Sequence, residues 1–245
     1  AFMEGMQGAG VMANAKHFPG HGDTDSDSHK TLPTINFSKK RINSLELYPY
    51  KSLFLKGLSS VMVAHLNVPS LDARSNYPSS LSYPIVTELL KEKLGFKGLI
   101  FTDALDMKGA SNFSIPGEVD LQAFLAGNDV ILMSVDVNQG INTLQKALES
   151  GVISEKRLAH SVKKILSAKY KVGLAQYKPI NTINLVSELN RQKDDVLYQN
   201  LMENAITLVQ NTNNLLPLKN LELRKVAYVN MGTADASPFV KSLNK

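Results

Sequence analysis

Four short apolar runs alternate with longer amphipathic segments along the first 172 residues. Each run is continuously hydrophobic, which is typical of strands buried on both faces. The predicted strands are residues 11–16, 61–65, 98–103 and 129–133. The predicted helices are residues 43–57, 82–94, 119–126, 138–150 and 155–172, with Ser82 capping the second of them and Gly95 ending it.

This alternation predicts an α/β protein with a parallel sheet covered by helices. Polar and ionisable side chains follow the strand ends, where both open sheets and (β/α)8 barrels carry their functional groups. A full barrel needs eight strand–helix units and the pattern supplies four. A barrel would therefore lack its first half in this chain.

The pattern changes after Gly173 and divides the chain into domains. Residues 1–172 form the first predicted domain, and residues 173–192 lack periodicity and are predicted to be a linker. A helix over 193–205 and strands over 206–210 and 226–230 predict an incomplete second α/β domain over 193–245. The chain begins without an initiator methionine and ends in what resembles the start of a helix, so we expect it to be part of a longer polypeptide.

Composition narrows the function classes. Of the 245 residues, 43% are hydrophobic and 20% are charged, which is ordinary for a folded globular protein. The net charge is +5, and the one basic stretch, within residues 156–171, is interpreted as a solvated helix face and not as a nucleic-acid footprint. No apolar run approaches the roughly 20 residues that span a bilayer. Cysteine is absent, which excludes disulfides and thiolate chemistry but does not fix the compartment.

Residues 16–29 form a loop with three histidines, three aspartates and one lysine. The aspartates at 23, 25 and 27 match the start of an EF-hand calcium loop, but Ser28 and Thr34 stand where its glycine and bidentate glutamate belong. The histidines at 17, 21 and 29 could bind zinc or iron, but they lie in a Pro-containing loop and not at helical spacing. We therefore expect neither a metal nor a cofactor.

Acid–base chemistry is the interpretation that the loop favours. Asp27 and His29 are two residues apart, so in an extended segment their side chains point the same way. A carboxylate beside an imidazole fixes its tautomer and stabilises its protonated form, which lets the histidine exchange a proton near neutral pH.

Asp103 closes the third predicted strand. A carboxylate at the end of a buried strand is desolvated or paired, and such a placement lowers stability. It is therefore typical of a group that has a function. Asp103 is therefore a candidate nucleophile or base, whereas Asp106 lies past the strand end and suits a turn-capping role.

These motifs carry a family resemblance. The segments Lys16–Gly22, Asp27–His29, Ala64–His65 and Phe101–Met107 together resemble the glycoside hydrolase family 3 β-N-acetylglucosaminidases of the NagZ type. The resemblance implies that residues 1 to about 172 are the second half of a (β/α)8 barrel, and that the residues from about 193 begin the α/β sandwich domain that follows it in many members.

The resemblance also implies an activity and a set of roles. The activity is exo-acting, retaining hydrolysis of terminal β-linked N-acetylglucosamine, typically from peptidoglycan fragments. The compartment is left open between a bacterial cytoplasm and the periplasm or cell envelope. Asp103 would be the nucleophile, His29 the acid/base and Asp27 the carboxylate that orients it. The implied substrate-binding residues are Lys16, His17, His65 and Met107.

Two other functions stay open. Some enzymes with this His–Asp arrangement use phosphate as the acceptor and release a sugar 1-phosphate, because a histidine repels an anion less than a carboxylate does. A non-catalytic sugar-binding module is the second alternative, although Asp103, Asp27 and His29 are all present. Sugar-binding residues of the family that come from earlier strands would lie in the missing upstream half, so the chain alone is not expected to form a complete site.

Overall fold

The computed structural model describes residues 1–24, 26–28 and 30–229, and it contains the predicted parallel sheet. The strands are β1 (Asn14–Phe18), β2 (Ser60–Val63), β3 (Leu99–Ala104) and β4 (Val130–Leu132). They are hydrogen-bonded in the order β1-β2-β3-β4, and every neighbouring pair is parallel. The prediction of an α/β fold is confirmed. Within the described residues, β1 and β4 each pair with one strand only and are the open edges of the sheet.

Helices connect the strands and continue beyond the sheet. The α-helices are α1 (Phe2–Gly8), α2 (Lys39–Ser44), α3 (Tyr48–Leu55), α4 (Lys108–Ser111), α5 (Glu118–Ala126), α6 (Val137–Glu149), α7 (Glu155–Lys171), α8 (Leu185–Leu189) and α9 (Gln192–Ala205). A π-type helix spans Pro84–Lys93, and short 3₁₀ turns span Ser79–Leu81, Leu174–Gln176, Thr212–Asn214 and Leu221–Leu223. None of the helices in the described part of the chain has the length and hydropathy that a bilayer crossing requires.

The predicted single helix over residues 43–57 is wrong, because the structure has two helices there. The Ser38 side chain accepts a hydrogen bond from the backbone N–H of Arg41 and so starts α2 earlier than predicted. The chain leaves the helix at Leu45–Leu47 and begins α3 at Tyr48, with Pro49 in its first turn, where a missing N–H costs little. The break matters for the site, because it carries Glu46.

The core lies between the sheet and the helices that follow β1 and β2. Val61, Val63 and Ile100 are fully buried and pack in one cluster with residues of α2, α3 and the π-type helix. Burial of most residues of β2 and β3 explains why these two strands are continuous apolar runs. The register pairs Phe18 with Val63 and Val63 with Thr102, so the first three strands end at one level.

The chain divides into two compact units, Ala1–Lys178 and the segment from Pro179 onward. The second unit contains α8 and α9 and the last two 3₁₀ turns. The predicted strands at 206–210 and 226–230 are wrong as far as the described residues reach, since residues 206–210 and 226–229 are irregular. A strand needs a hydrogen-bonded neighbour, and an apolar run shows only the tendency to form one. Residue 230 lies outside the described residues.

Candidate functional site

The candidate site lies at the carboxyl edge of the sheet. Because β1, β2 and β3 end in register, residues near their ends come together although they are far apart in the sequence. His17 precedes the last residue of β1, and Asp103 is the last residue but one of β3. The imidazole of His17 reaches across β2 to Asp103, with 3.6 Å between His17 Nε2 and Asp103 Oδ2.

Asp103 is held by the strand that carries it. The residue is 9% exposed, and its Oδ1 accepts a hydrogen bond of 3.0 Å from the backbone N–H of Ala104. The second oxygen, Oδ2, faces His17. One oxygen is thus fixed by the backbone, and the other lies beside the imidazole of His17.

A cavity of about 640 Å³ borders the site beside β1. Its lining includes Lys16, His17, His21, Arg41 and Glu46. The rings of His17 and His21 meet edge to face, with centroids 5.9 Å apart. Lys16 is exposed, and His17 is partly exposed, so both predicted substrate-binding residues of β1 are accessible from this cavity.

Hydrogen bonds of the His21 ring stabilise the loop after β1. His21 Nδ1 lies 2.9 Å from Thr24 Oγ1, and His21 Nε2 lies 3.1 Å from the buried Ser28 Oγ. The carbonyl oxygen of Asp27 accepts hydrogen bonds from the backbone N–H groups of Lys30 and Thr31. His29, the predicted acid/base, and Asp25 lie outside the described residues, so the predicted Asp27–His29 contact stays a prediction.

The same loop packs against Gly109 of α4, in the segment that follows Asp103. A side chain at Gly109 would come within 3.0 Å of the Thr31 carbonyl oxygen, 3.2 Å of the Ser28 carbonyl oxygen and 3.0 Å of His65 Cβ. A side chain at position 109 would crowd the loop backbone, so glycine favours this close approach. The residues that flank position 29 in the chain are therefore packed against the segment that follows Asp103.

His65 lies just past the end of β2, as predicted, and its predicted contact with substrate stays a prediction. It is completely buried, its Nδ1 lies 2.7 Å from Ser80 Oγ, and its Nε2 lies 2.9 Å from the carbonyl oxygen of Ala104. A carbonyl only accepts, so Nε2 carries the proton, and Nδ1 accepts from the Ser80 hydroxyl. With both ring nitrogens engaged, His65 presents none to a ligand in this structure. Through its hydrogen bond to the Ala104 carbonyl, His65 holds the end of β3 next to Asp103.

Burial gives His65 a pH-dependent effect on stability. Desolvation lowers the pKa of His65 below its ordinary value of 6.5, against the opposing effects of the Ala104 carbonyl and Asp103. Below pH 6.5 the unfolded chain therefore binds a proton that the folded chain resists, and stability falls as the pH falls.

We expect the free energy of unfolding to decrease below pH 6.5 with a slope of up to about 1.4 kcal/mol per pH unit from this residue alone. Urea unfolding of the full-length protein at a series of pH values measures the slope. A His65→Gln variant, which keeps polar atoms but does not titrate, should be less stable at pH 7.5 and show a shallower decline. Parallel curves for the two proteins would contradict a buried, neutral His65.

Met107 is mostly buried at 8% exposure and begins the turn that leads into α4, where its N–H donates to the Ala104 carbonyl oxygen at 3.1 Å. Its predicted contact with substrate stays a prediction. In the described part of the chain, no three His, Asp or Glu side chains converge closely enough to hold a metal ion.

Sequence reasoning missed Arg41 and Glu46. Arg41 forms an ion pair with Asp23 of the loop, and its Nε lies 3.3 Å from Glu46 Oε1. Both residues lie 18 or more positions beyond Asp23, on a separate segment, and the sequence shows no motif that joins them to the loop. The only signal in the sequence was the presence of the cation Arg41 in α2 and of the carboxylate Glu46 in the break after that helix.

A parallel sheet with a carboxylate, imidazoles and a cavity at its carboxyl edge is typical of α/β proteins that carry their chemistry at strand ends. Residues 1–168 match the family model described as "Glycosyl hydrolase family 3 N terminal domain". The chain belongs to glycosyl hydrolase family 3.

Relatives and solved structures agree with this family. The chain is 34% identical over 239 residues to a β-hexosaminidase A of Pseudoalteromonas piscicida, covering 90% of the chain and 39% of that protein. It is 33% identical to a β-hexosaminidase of Idiomarina loihiensis over 73% of the chain and 52% of that protein. The chain thus spans between about two fifths and half of these relatives.

Two solved structures show the same fold. A glycoside hydrolase family 3 β-N-acetylglucosaminidase of Paenibacillus superposes with a TM-score of 0.70 at 38% identity, covering 73% of this chain and 34% of that one. A β-glucoside phosphorylase, BglX, superposes with a TM-score of 0.79 at 26% identity, covering 88% of this chain and 40% of that one.

Proposed function

We propose that this chain carries half of the active site of a retaining exo-β-N-acetylglucosaminidase. The observation that supports it most is the Asp103 carboxylate at the carboxyl edge of the sheet, with one oxygen on the backbone and the other facing His17. The similarity to β-hexosaminidases and to a β-N-acetylglucosaminidase supports the choice of sugar. The substrate class is an amino-sugar glycoside, with peptidoglycan fragments as the proposed natural source.

The proposed reaction has two steps at the anomeric carbon. In the first step, Asp103 Oδ2 forms a bond to that carbon while the bond to the leaving oxygen breaks, and the protonated acid/base residue gives its proton to that oxygen. In the second step, the same residue takes a proton from water, the water oxygen bonds to the anomeric carbon, and Asp103 leaves. His29, oriented by Asp27, is the proposed acid/base in place of a second carboxylate.

Neighbouring residues assist these steps. Lys16 and His17 line the cavity beside β1 and would bind sugar hydroxyls, which are both donors and acceptors. Met107 is the proposed apolar contact at the turn after β3. His65 acts through its hydrogen bond to the Ala104 carbonyl, which fixes the strand end that carries Asp103.

The remaining strands of the barrel are proposed to come from polypeptide upstream of this chain. In the described residues, β1 and β4 are open edges, and the matched regions cover only 39% and 52% of these two relatives. Strands paired to both edges would close the sheet into a barrel and bring the rest of the sugar-binding groups to the same rim. From 193 onward the chain is proposed to begin a second α/β domain, after a linker over 173–192.

Phosphorolysis is the second candidate, because one superposing structure is a β-glucoside phosphorylase. Product analysis of the full-length protein with a β-N-acetylglucosaminide, in buffers with and without phosphate, separates the two reactions. We expect free N-acetylglucosamine, released first as the β-anomer, at a rate that phosphate does not change. A sugar 1-phosphate that forms only with phosphate would establish a phosphorylase, and binding without turnover would establish a sugar-binding module.

A further inference from the structure

Arg41 joins the loop after β1 to a second segment of the fold. Its guanidinium forms an ion pair with Asp23 of the loop, and its Nε lies 3.3 Å from Glu46 Oε1. The centre of the guanidinium is 3.4 Å from the centroid of the Phe37 ring, a cation–π contact. Phe37 and Glu46 of its own segment and Asp23 of the loop therefore fix the position of the Arg41 guanidinium.

Glu46 explains why a cation is needed at this place. The Glu46 side chain is only 10% exposed, and its Oε2 is buried without a hydrogen-bond partner among the described residues. A desolvated carboxylate is costly unless a cation compensates it, and Arg41 is the cation in contact. The ion pair with Glu46 therefore holds Arg41 in position independently of the loop.

The loop is shaped to fit this anchor. Gly20 has a φ of +134°, and a side chain there would come within 2.7 Å of Glu46 Cβ. The loop therefore touches the α2–α3 segment twice, by packing at Gly20 and by charge at Asp23. An exposed ion pair usually contributes little, but Arg41 is already fixed in place, so little side-chain entropy is lost when Asp23 binds it.

Contacts inside the loop connect the part near Arg41 to the segment that follows Asp103. His21 links Thr24 to Ser28, and the backbone of Ser28 and Thr31 packs on Gly109 beside Asp103. Asp27 lies within this braced stretch. The loop is therefore connected from Arg41 at its start to the Asp103 segment at its end.

We propose that Arg41 is a positioning residue, which holds Asp23 and thereby places the loop that brings the Asp27–His29 acid/base pair to the substrate. The proposal rests on the proposed function. Arg41 acts through the loop and not by contact with the reacting atoms.

The kinetic signature follows from the chemistry of the first step. An aryl leaving group of low pKa departs as an anion without protonation, whereas a poor leaving group needs the acid while its bond to the sugar breaks. Misplacing the acid therefore slows the reaction of poor leaving groups selectively. A folding defect or a lost sugar contact slows all of them alike.

The experiment measures kcat/KM of the protein expressed from its complete reading frame on aryl β-N-acetylglucosaminides of rising leaving-group pKa. For Arg41→Gln we expect a loss of about 10- to 100-fold on the poorest leaving groups and below about 3-fold on the most activated one, within the 10²–10⁴-fold range of general acid catalysis. Arg41→Lys keeps the charge without the planar fork and should fall between. Arg191→Gln removes an arginine from an exposed Arg–Asp pair in the second unit and should match the parent.

Asp23→Asn tests the loop contact itself. This variant leaves the Arg41–Glu46 pair in place. It therefore still tests whether the Arg41–Asp23 contact positions the loop if Arg41→Gln lowers the yield of folded protein. We expect the same selective loss, and a double variant that loses no more than Arg41→Gln alone, because both changes cut one contact. Equal losses for all leaving groups, or an Asp23→Asn variant like the parent, would overturn the role of Arg41. A parent without activity on any of these glycosides would overturn the proposed function instead.

Discussion

An Asp103→Asn variant of the full-length protein is expected to lose about 10³- to 10⁶-fold in kcat, the range for removal of a catalytic nucleophile. The amide is nearly the same size and can still accept the hydrogen bond from the Ala104 N–H, so the fold should be kept. Its oxygen carries no charge and forms no stable ester with the sugar. The loss therefore reports on chemistry and not on packing.

Two measurements check this prediction. Steady-state kinetics on an activated aryl glycoside gives kcat, and intact and peptide mass after incubation with a fluorinated N-acetylglucosaminide identifies the labelled residue. We expect a sugar-sized mass increase on the peptide that carries Asp103 in the parent and none in Asp103→Asn. Asp106→Asn, an exposed carboxylate three residues further on, is the matched control and should still be labelled. A label that persists in Asp103→Asn would assign the nucleophile to another residue.

The central strands β2 and β3 were predictable because most of their residues are buried, which leaves a continuous apolar run in each. The edge strand β1 is less regular. The sequence predicts β1 at 11–16, whereas the strand runs from Asn14 to Phe18. The predicted strand ends at Lys16 and leaves His17 in the loop, but polar side chains are tolerated at a strand end that opens onto a cavity. These polar residues obscured the end of the strand.

The site was predictable only where one short motif carries it. Asp103 stands out because it follows an apolar run, and His17 because it lies in a dense polar loop. The support of β3 by His65 depends on Ser80, which lies 15 positions away across an irregular loop and comes into contact only through the fold. Arg41 was missed for the same reason, since a salt bridge between separate segments has no local period or spacing.

The second large effect is expected at the opposite end of the sheet, where Asp129 precedes β4. Its side chain is fully buried; Oδ1 accepts from Ser161 Oγ at 2.6 Å, and Oδ2 accepts from the Ile100 N–H at 3.1 Å and forms an ion pair with Lys164 of α7. The surroundings are otherwise positive. Burial, and then the charge of Arg157, lowers the pKa of Lys91 to about 8. Asp129 is therefore the buried carboxylate that compensates this group of cations and joins α7 to β3.

Asp129→Ala is expected to destabilise the protein by about 3–5 kcal/mol, because it leaves Lys164 partly buried without its counter-ion and two hydrogen-bond donors without an acceptor. The midpoint and slope of urea unfolding measure the change. Asp194→Ala, which breaks the exposed pair with Arg191, is the matched control and should leave the midpoint nearly unchanged.

The pair Asp129→Leu and Lys164→Met separates charge from packing. Replacing both partners of a buried ion pair by apolar groups is often neutral, so the double variant should be more stable than Asp129→Ala. Recovery should be incomplete, since Arg157 and Lys91 would still lack the carboxylate that offsets them. An Asp129→Ala variant as stable as the Asp194→Ala control would show that the charge of Asp129 is not required to hold α7, whose Arg157 also donates to the Phe124 and Asn128 carbonyl oxygens.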